Sequence, residues 1–349
     1  MFFVFVLFIH LQRAMASAAA MSTPSFTSST SFTFSFSSFS SFFSASSPSP
    51  LLSPFYDFLV KSDIFTTCPM LEAYVAAFSF FFWHLLFLYM TRVSSLKRYR
   101  FSNSRKREES GQKRENNTSS TSMSLSSLFS LFSFINIHST SDVVSVLSLP
   151  VYLLAISLFH TVKPHSLSAD WAVAPSLFRL LSEVLFGIVA YDFVFFFVHL
   201  LLHRSDFLYR HVHKRHHTHS FLSVGTTVSH SLLDGTLQVS ANILVQHLGL
   251  NGWGTKHPLS RLLHNVVVTY MLCEIHSEMD APFSMHNLFP KAVGGALRHR
   301  LHHQKGGVHQ KGGAKGRGGG GVNYQEFFLY LDDFFGTAAE NAECRRAKY

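Results

Sequence analysis

Cysteine is scarce in this sequence: three residues, Cys68, Cys273 and Cys344, in a chain of 349. They lie far apart and form no CxxC pair, which excludes a disulfide framework and a thiolate metal site. Charge is also sparse, at 14% of residues, and acidic side chains are outnumbered 20 to 29 by basic ones. No GxGxxG motif is followed by the acidic residue a dinucleotide site needs. The Gly-rich run at 312–321 has no strand-like segment before it. The basic residues lack interleaved aromatics and any nucleic-acid-binding motif, so no nucleic-acid partner is expected.

What is present is apolar. Hydrophobic residues make up 47% of the chain, with 38 phenylalanines and a net charge of +9. That balance fits a membrane enzyme with soluble portions. The basic blocks at 97–114, 204–215 and 298–315 and at the C-terminus each adjoin an apolar stretch, which marks the cytoplasmic side.

Along the chain, residues 1–20 resemble a signal or anchor segment: an apolar run, then Arg13 and small residues. No positive charge precedes the run, so cleavage near Ala16 and retention as an anchor both stay open. Residues 21–65 are a low-complexity leader rich in Ser and Phe, without periodicity that could define a core over 22–54. Residues 66–176 hold N-terminal membrane helices and a basic cytosolic loop, 177–337 a histidine-rich domain, and 338–349 a tail. The apolar stretch at 70–90 can cross roughly 30 Å of hydrocarbon at about 1.5 Å per residue. The basic run after it sends its end to the cytosol. Residues 143–159 return, and 177–202 cross back. The short apolar stretches at 237–250 and 262–275 form a hairpin dipping into the bilayer around Gly252-Trp-Gly-Thr-Lys-His-Pro258. The expected fold is all-α and integral to a membrane, with about four transmembrane helices and a cytosolic histidine-rich helical cap.

Histidine is concentrated. Residues 199–309 hold 17 of the 22 histidines. Three boxes stand out: His199-Leu-Leu-Leu-His203, His213-Lys-Arg-His216-His217 and His299-Arg-Leu-His302-His303. Imidazoles four apart on a helix can aim two nitrogens at one ion, and a neighbour turned about 100° away can serve a second. Eight imidazoles exceed what one tetrahedral zinc takes, so two ions sharing the cluster is the economical reading. Any box alone also reads as packed or solvated histidines. The spans derived from charge bring all three to one cytosolic face. The remaining histidines, among them His211, His230, His247, His257 and His264, are expected to be structural or exposed.

These boxes, with Leu208-Tyr209, His230-Ser-Leu-Leu-Asp-Gly235, His276-Ser277, Asp280-Ala-Pro282, Ser284-Met-His286-Asn-Leu-Phe-Pro290, Asn323-Tyr324 and Asp333-Phe-Phe-Gly-Thr337, resemble the fatty acid hydroxylase superfamily over residues 177–337. The segment around His286 is most similar to its cholesterol 25-hydroxylase and sterol 4-methyl oxidase branches. The resemblance implies a membrane-bound non-haem di-iron oxygenase, using O2 and two electrons to hydroxylate a sterol or related lipid. It also admits a sterol desaturase or a fatty-acyl or sphingolipid hydroxylase. By position it implies His199, His203, His213, His216, His217, His299, His302 and His303 as ligands of two iron ions, with His276 as a ninth and His286 as a further one. It implies an endoplasmic reticulum location, a site facing the cytosol, and an electron donor such as a cytochrome b-type carrier or a flavoprotein reductase. Two departures stand out. The family reads His-Ser-Gly-Tyr-Asp where this chain has His276-Ser-Glu278-Met279-Asp280, and a Gly/Lys-rich insertion occupies 305–321. A histidine-rich metal transporter would place ligands at mid-bilayer, against the positions of the boxes here. An inactive scaffold is kept open by the altered 276–280 segment.

Overall fold

The two apolar stretches that carry the strongest membrane signal become the two longest helices of the computed structural model, which describes residues 52–61, 68, 70–93, 95–101, 154, 173–218, 222–306 and 322–340. All of these belong to one compact unit, Ser46–Tyr349. Its helices are α1 (Ser53–Lys61), α2 (Leu71–Arg92), α3 (Leu177–Arg204), α4 (Asp206–Leu208), α5 (Leu232–Gln246), α6 (Pro258–Ile275), α7 (Met285–Leu288), α8 (Gly295–Gly306) and α9 (Tyr330–Phe335).

Helix α2 and helix α3 are both long and apolar enough to cross a membrane. At about 1.5 Å per residue the 28 residues of α3 extend about 42 Å. Phe78, Phe82 and Tyr89 of α2, and Leu181, Leu185 and Leu201 of α3, are exposed. Apolar side chains facing outward from such helices suit a lipid surroundings. The expected span at 143–159 lies outside the described residues apart from Leu154, as do residues 1–51. Of the about four expected membrane helices, two are seen among the described residues as helices long and apolar enough to cross.

Local chemistry sets the helix ends. Ser176 caps α3 by accepting from the Arg179 N–H at 3.1 Å, and Ser231 caps α5 by accepting from the Asp234 N–H at 3.2 Å. His257 caps α6, with Pro258 at its first position. Between α5 and α6 the expected hairpin turn is a small antiparallel pair, β1 (Leu248–Gly249) and β2 (Gly252–Trp253). Helix α6 packs along both α2 and α3, α5 packs on α3, and α8 meets α6. Val184, Ile188, Tyr191, Phe195, Ala241, Val245, Val268 and Met271 fill the space between α3, α5 and α6. The end of the low-complexity leader departs from expectation. Residues 53–61 form helix α1, whose Tyr56 is buried with its ring 4.9 Å from that of His257. Past Pro54 the Ser-rich composition gives way to Phe-Tyr-Asp-Phe-Leu-Val, which can bury a face.

Candidate metal centre

Helix α3 delivers His199 and His203 one turn apart at its C-terminal end. Seven residues before His199, on the same face, stands Asp192, fully buried. Its carboxylate accepts the backbone N–H groups of Glu326, Phe327 and Phe328 at 3.1, 2.8 and 3.2 Å and the Gln325 amide at 2.6 Å. Asp332 accepts from the Tyr324 and Gln325 N–H groups, both at 2.8 Å. Asp192 thus fastens the 322–332 segment to α3, and Asp332 closes that segment on itself. The Tyr324 carbonyl oxygen thereby comes to 2.8 Å from His199 Nδ1.

The second box departs from the expected helical face. Tyr209–His213 is a π-helical turn closed by Lys214 N–H to Tyr209 O at 2.7 Å, and His216–Thr218 is a 3-10 turn. The wider and tighter turns rotate the imidazoles independently, a use of π turns that recurs at functional sites. Helix α8 supplies the third box.

Nine histidines converge in two groups. His199, His203, His213, His217 and His302 form one, and His216, His276, His299 and His303 the other; within each, the ring nitrogens lie within 4.8 Å of one another. Each HxxHH box is split between the groups. His213 and His217 go to the first and His216 to the second, while His299 and His303 go to the second and His302 to the first. His286 belongs to neither. Its Nε2 lies 3.1 Å from Asp280 Oδ1, and α7 holds it apart from both groups. His247, His257 and His264 are buried in the fold with partners of their own: the Ile243 carbonyl, the Leu259 N–H and the Asn242 side chain. His211 is exposed, and His219 and His309 lie outside the described residues.

The protonation pattern follows from the acceptors around the rings. His199 Nδ1 faces the Tyr324 carbonyl, His213 Nδ1 the Asp234 carboxylate, His302 Nδ1 the Val322 carbonyl and His276 Nδ1 the Leu272 carbonyl, each at 2.8 Å. Those oxygens only accept, so Nδ1 carries the proton and Nε2 presents a bare lone pair. Yet His199 Nε2 and His213 Nε2 stand 3.1 Å apart, His302 Nε2 is 3.1 Å from His217 Nε2, and His276 Nε2 is 3.0 Å from His299 Nε2. Between His199 and His213 two lone pairs face each other, a repulsive contact unless a cation lies between them. Nitrogens bound at right angles to one ion at about 2.1 Å stand about 3.0 Å apart. The donor set therefore fits metal ions.

Burial favours the neutral form of six of the rings. It holds His302 down to about 3 and His276 to about 4, and it depresses His216, His217, His299 and His303 well below the ordinary imidazole range, neighbouring imidazoles adding to the effect in these four. Neutral imidazole is the form that binds a metal.

Residues 184–337 match the family model described as fatty acid hydroxylase. The chain carries a fatty acid hydroxylase domain. Among curated relatives, this chain is 30% identical over 190 residues to the cholesterol 25-hydroxylase-like protein of Danio rerio, covering 54% of this chain and 66% of that one. It is 30% identical over 197 residues to the cholesterol 25-hydroxylase of Homo sapiens, covering 54% of this chain and 60% of that one. To methylsterol monooxygenase 2-2 of Arabidopsis thaliana it is 29% identical over 167 residues, covering 47% and 54%. The chain thus spans between about half and two thirds of the length of these relatives. No solved structure matches it. All nine converging histidines of the hydroxylase domain lie inside the matched residues.

Sequence reasoning found the imidazoles and missed what aims them. Asp234 stood inside a recognised motif without a role, Asp192 lay unremarked in the apolar stretch 177–202, and the Tyr324, Val322 and Leu272 carbonyls carry no side-chain signal at all. Asn323-Tyr324, an ordered pair following the insertion, is the one hint that this stretch returns to the site.

Proposed function

We propose that this chain is a membrane-bound, non-haem di-iron oxygenase that hydroxylates a sterol or related lipid with O2 and two electrons. The observation that carries the reading is the facing of the bare Nε2 lone pairs of His199 and His213 in the first of two neighbouring histidine groups. The names of the relatives, cholesterol 25-hydroxylase and methylsterol monooxygenase, support a sterol as the lipid. In this reading His199, His203, His213, His217 and His302 hold one iron, and His216, His276, His299 and His303 the other. The two ions, when bound, supply the O2-dependent oxidising chemistry that no side chain here provides.

The chain's own residues do the positioning. Asp234 and the Tyr324, Val322 and Leu272 carbonyls fix four rings in the Nδ1–H tautomer and so aim Nε2 inward. Burial of all the ligand boxes except the partly exposed His203 keeps water from the rings. The split of each HxxHH box ties the two groups into one rigid unit, so that a lipid carbon meets both at a fixed distance. The basic segments beside the boxes favour the cytosolic face of the endoplasmic reticulum membrane. Electrons then come from a separate carrier, a cytochrome b-type protein or a flavoprotein reductase. Placement of the carbon decides between hydroxylation and the desaturation of a sterol or the hydroxylation of an acyl lipid.

Two measurements test this. Purified full-length protein is expected to carry about two irons per chain. Comparing lipids by mass spectrometry between cells with and without the gene is expected to show one sterol accumulating and an oxygenated sterol missing. Metal-free active protein would overturn the iron assignment, and an unchanged sterol fraction with altered acyl lipids would overturn the sterol.

A further inference from the structure

Glu278, one of the two positions where this chain departs from the family pattern, adopts φ 58°. That is the left-handed region, which glycine enters freely and a residue with a Cβ does not. The family's glycine is thus explained, and the glutamate stands against a steric cost. Its carboxylate is engaged on both oxygens. Oε1 accepts the Leu222 N–H at 3.0 Å, and Oε2 accepts from Arg300 Nη1 at 2.9 Å, with both charged side chains essentially inaccessible to solvent.

Arg300 lies in α8 between His299 and His302. Its Nε and Nη2 have no hydrogen-bond partner among the described residues. Its guanidinium sits 4.7 Å over the ring of Phe101. The backbone completes the contact: Phe101 N–H donates to Glu278 O at 3.3 Å, Asp280 N–H to Tyr99 O at 2.6 Å, and Arg100 bridges Met279. The Glu278 carboxylate therefore joins the helix carrying three of the nine imidazoles to the loop at residue 222, and the Arg300 it holds covers Phe101 in the segment just beyond α2, which the 278–280 backbone also pairs.

We propose that Glu278 is a positioning residue: paired with Arg300, it clamps α8 in place and draws residues 97–101, outside the matched 184–337, into the metal-binding unit. The clamp also cancels a buried cation next to the histidines. Left alone, that cation would repel bound metal.

The test is Glu278→Gly in the full chain, because the two possibilities have opposite signs. If the glutamate is merely tolerated, glycine relieves the backbone and the metal-free variant unfolds at the same or a higher temperature than the parent. The clamp predicts a midpoint lower by several degrees in that metal-free protein. This arm needs no bound iron, so it decides the clamp even if the di-iron reading fails. Anaerobic Fe(II) titration is the second arm, resting on the di-iron reading. Affinity is expected to fall about tenfold or more, as when partners of metal ligands are lost. Glu278→Gln, which keeps the side-chain shape and an acceptor for Leu222, is expected to show the same loss should Glu278→Gly fail to insert. Adding Arg300→Met to Glu278→Gln removes the orphaned cation and is expected to recover part of the affinity, a coupling that lost packing alone does not give. Unfolding of metal-free Glu278→Gly at or above the parental temperature would overturn the proposal, whatever its Fe(II) affinity.

Discussion

The two ends of α3 bury polar groups in opposite ways. At the end that begins with Leu177, the charges satisfy one another. Arg179 pairs with Glu183 at 3.0 Å, Arg261 of α6 pairs with Glu72 of α2 at 2.8 Å, and His264 meets Asn242 at 2.9 Å. Glu183 also accepts the His257 N–H at 3.0 Å. Lys256 Nζ, Ser260 Oγ and His264 Nδ1 are exceptions, without a hydrogen-bond partner among the described residues, and Lys256 Nζ is pressed toward Gly187. At the other end His199 and His213 point their acceptors at each other. A buried polar cluster that completes its own hydrogen bonds holds helices together, while one whose lone pairs converge without protons requires a cation. The residue types alone do not separate these two cases, since histidine occurs in both.

The largest expected effect breaks the convergent end. Alanine at His216 or at His302 is expected to abolish product formation and bound iron while leaving membrane insertion intact, read by metal analysis and membrane fractionation. Full activity in both variants would remove the metal assignment. Acid is expected to act on the same end. Burial holds His302 at about 3 and His276 at about 4 in the folded chain, whereas the unfolded chain takes up protons near the ordinary value of about 6.5. Protons therefore favour the unfolded chain, and stability is expected to fall as pH drops below about 6.5, levelling off only below about 3. Thermal unfolding of the metal-free protein between pH 8 and pH 4 measures this, and a flat profile would contradict it.

At the self-paired end, Glu72→Ala removes the carboxylate that the buried Arg261 meets at 2.8 Å and is expected to cost about 3–5 kcal/mol of stability. The iron content of the protein that still folds should be unchanged, which sharpens the contrast between the two ends. Loss of iron there would show that they are coupled. Smaller still, Asp234→Ala frees the His213 ring to take the wrong tautomer and is expected to weaken metal binding about 10–100-fold. Equilibrium Fe(II) titration reads that change, and the parental affinity would assign Asp234 to structure alone.

Much of the site was legible because its signals are local. The three boxes are read directly from spacing, and the apolar runs at 70–90 and 177–202 became α2 and α3 within about two residues. The expected helical face for His213, His216 and His217 failed because spacing reports which residues are near, not whether the turn between them is α, π or 3-10. His286 was grouped with the ligands by its motif, yet α7 hands it to Asp280. Glu278 was visible as a substitution, but its partner lies 22 residues away in another helix.

By itself the sequence determined the supply of imidazoles, the apolar helices that carry them and the charge pattern beside them, because composition and periodicity are properties of short segments. The tertiary structure alone decided which imidazole joins which group, which nitrogen of each ring is bare, and which carboxylates and carbonyls enforce it. Those depend on oxygens brought within about 3 Å from positions as distant as residue 324 is from residue 199, and only the packing of α3, α6 and α8 fixes such distances.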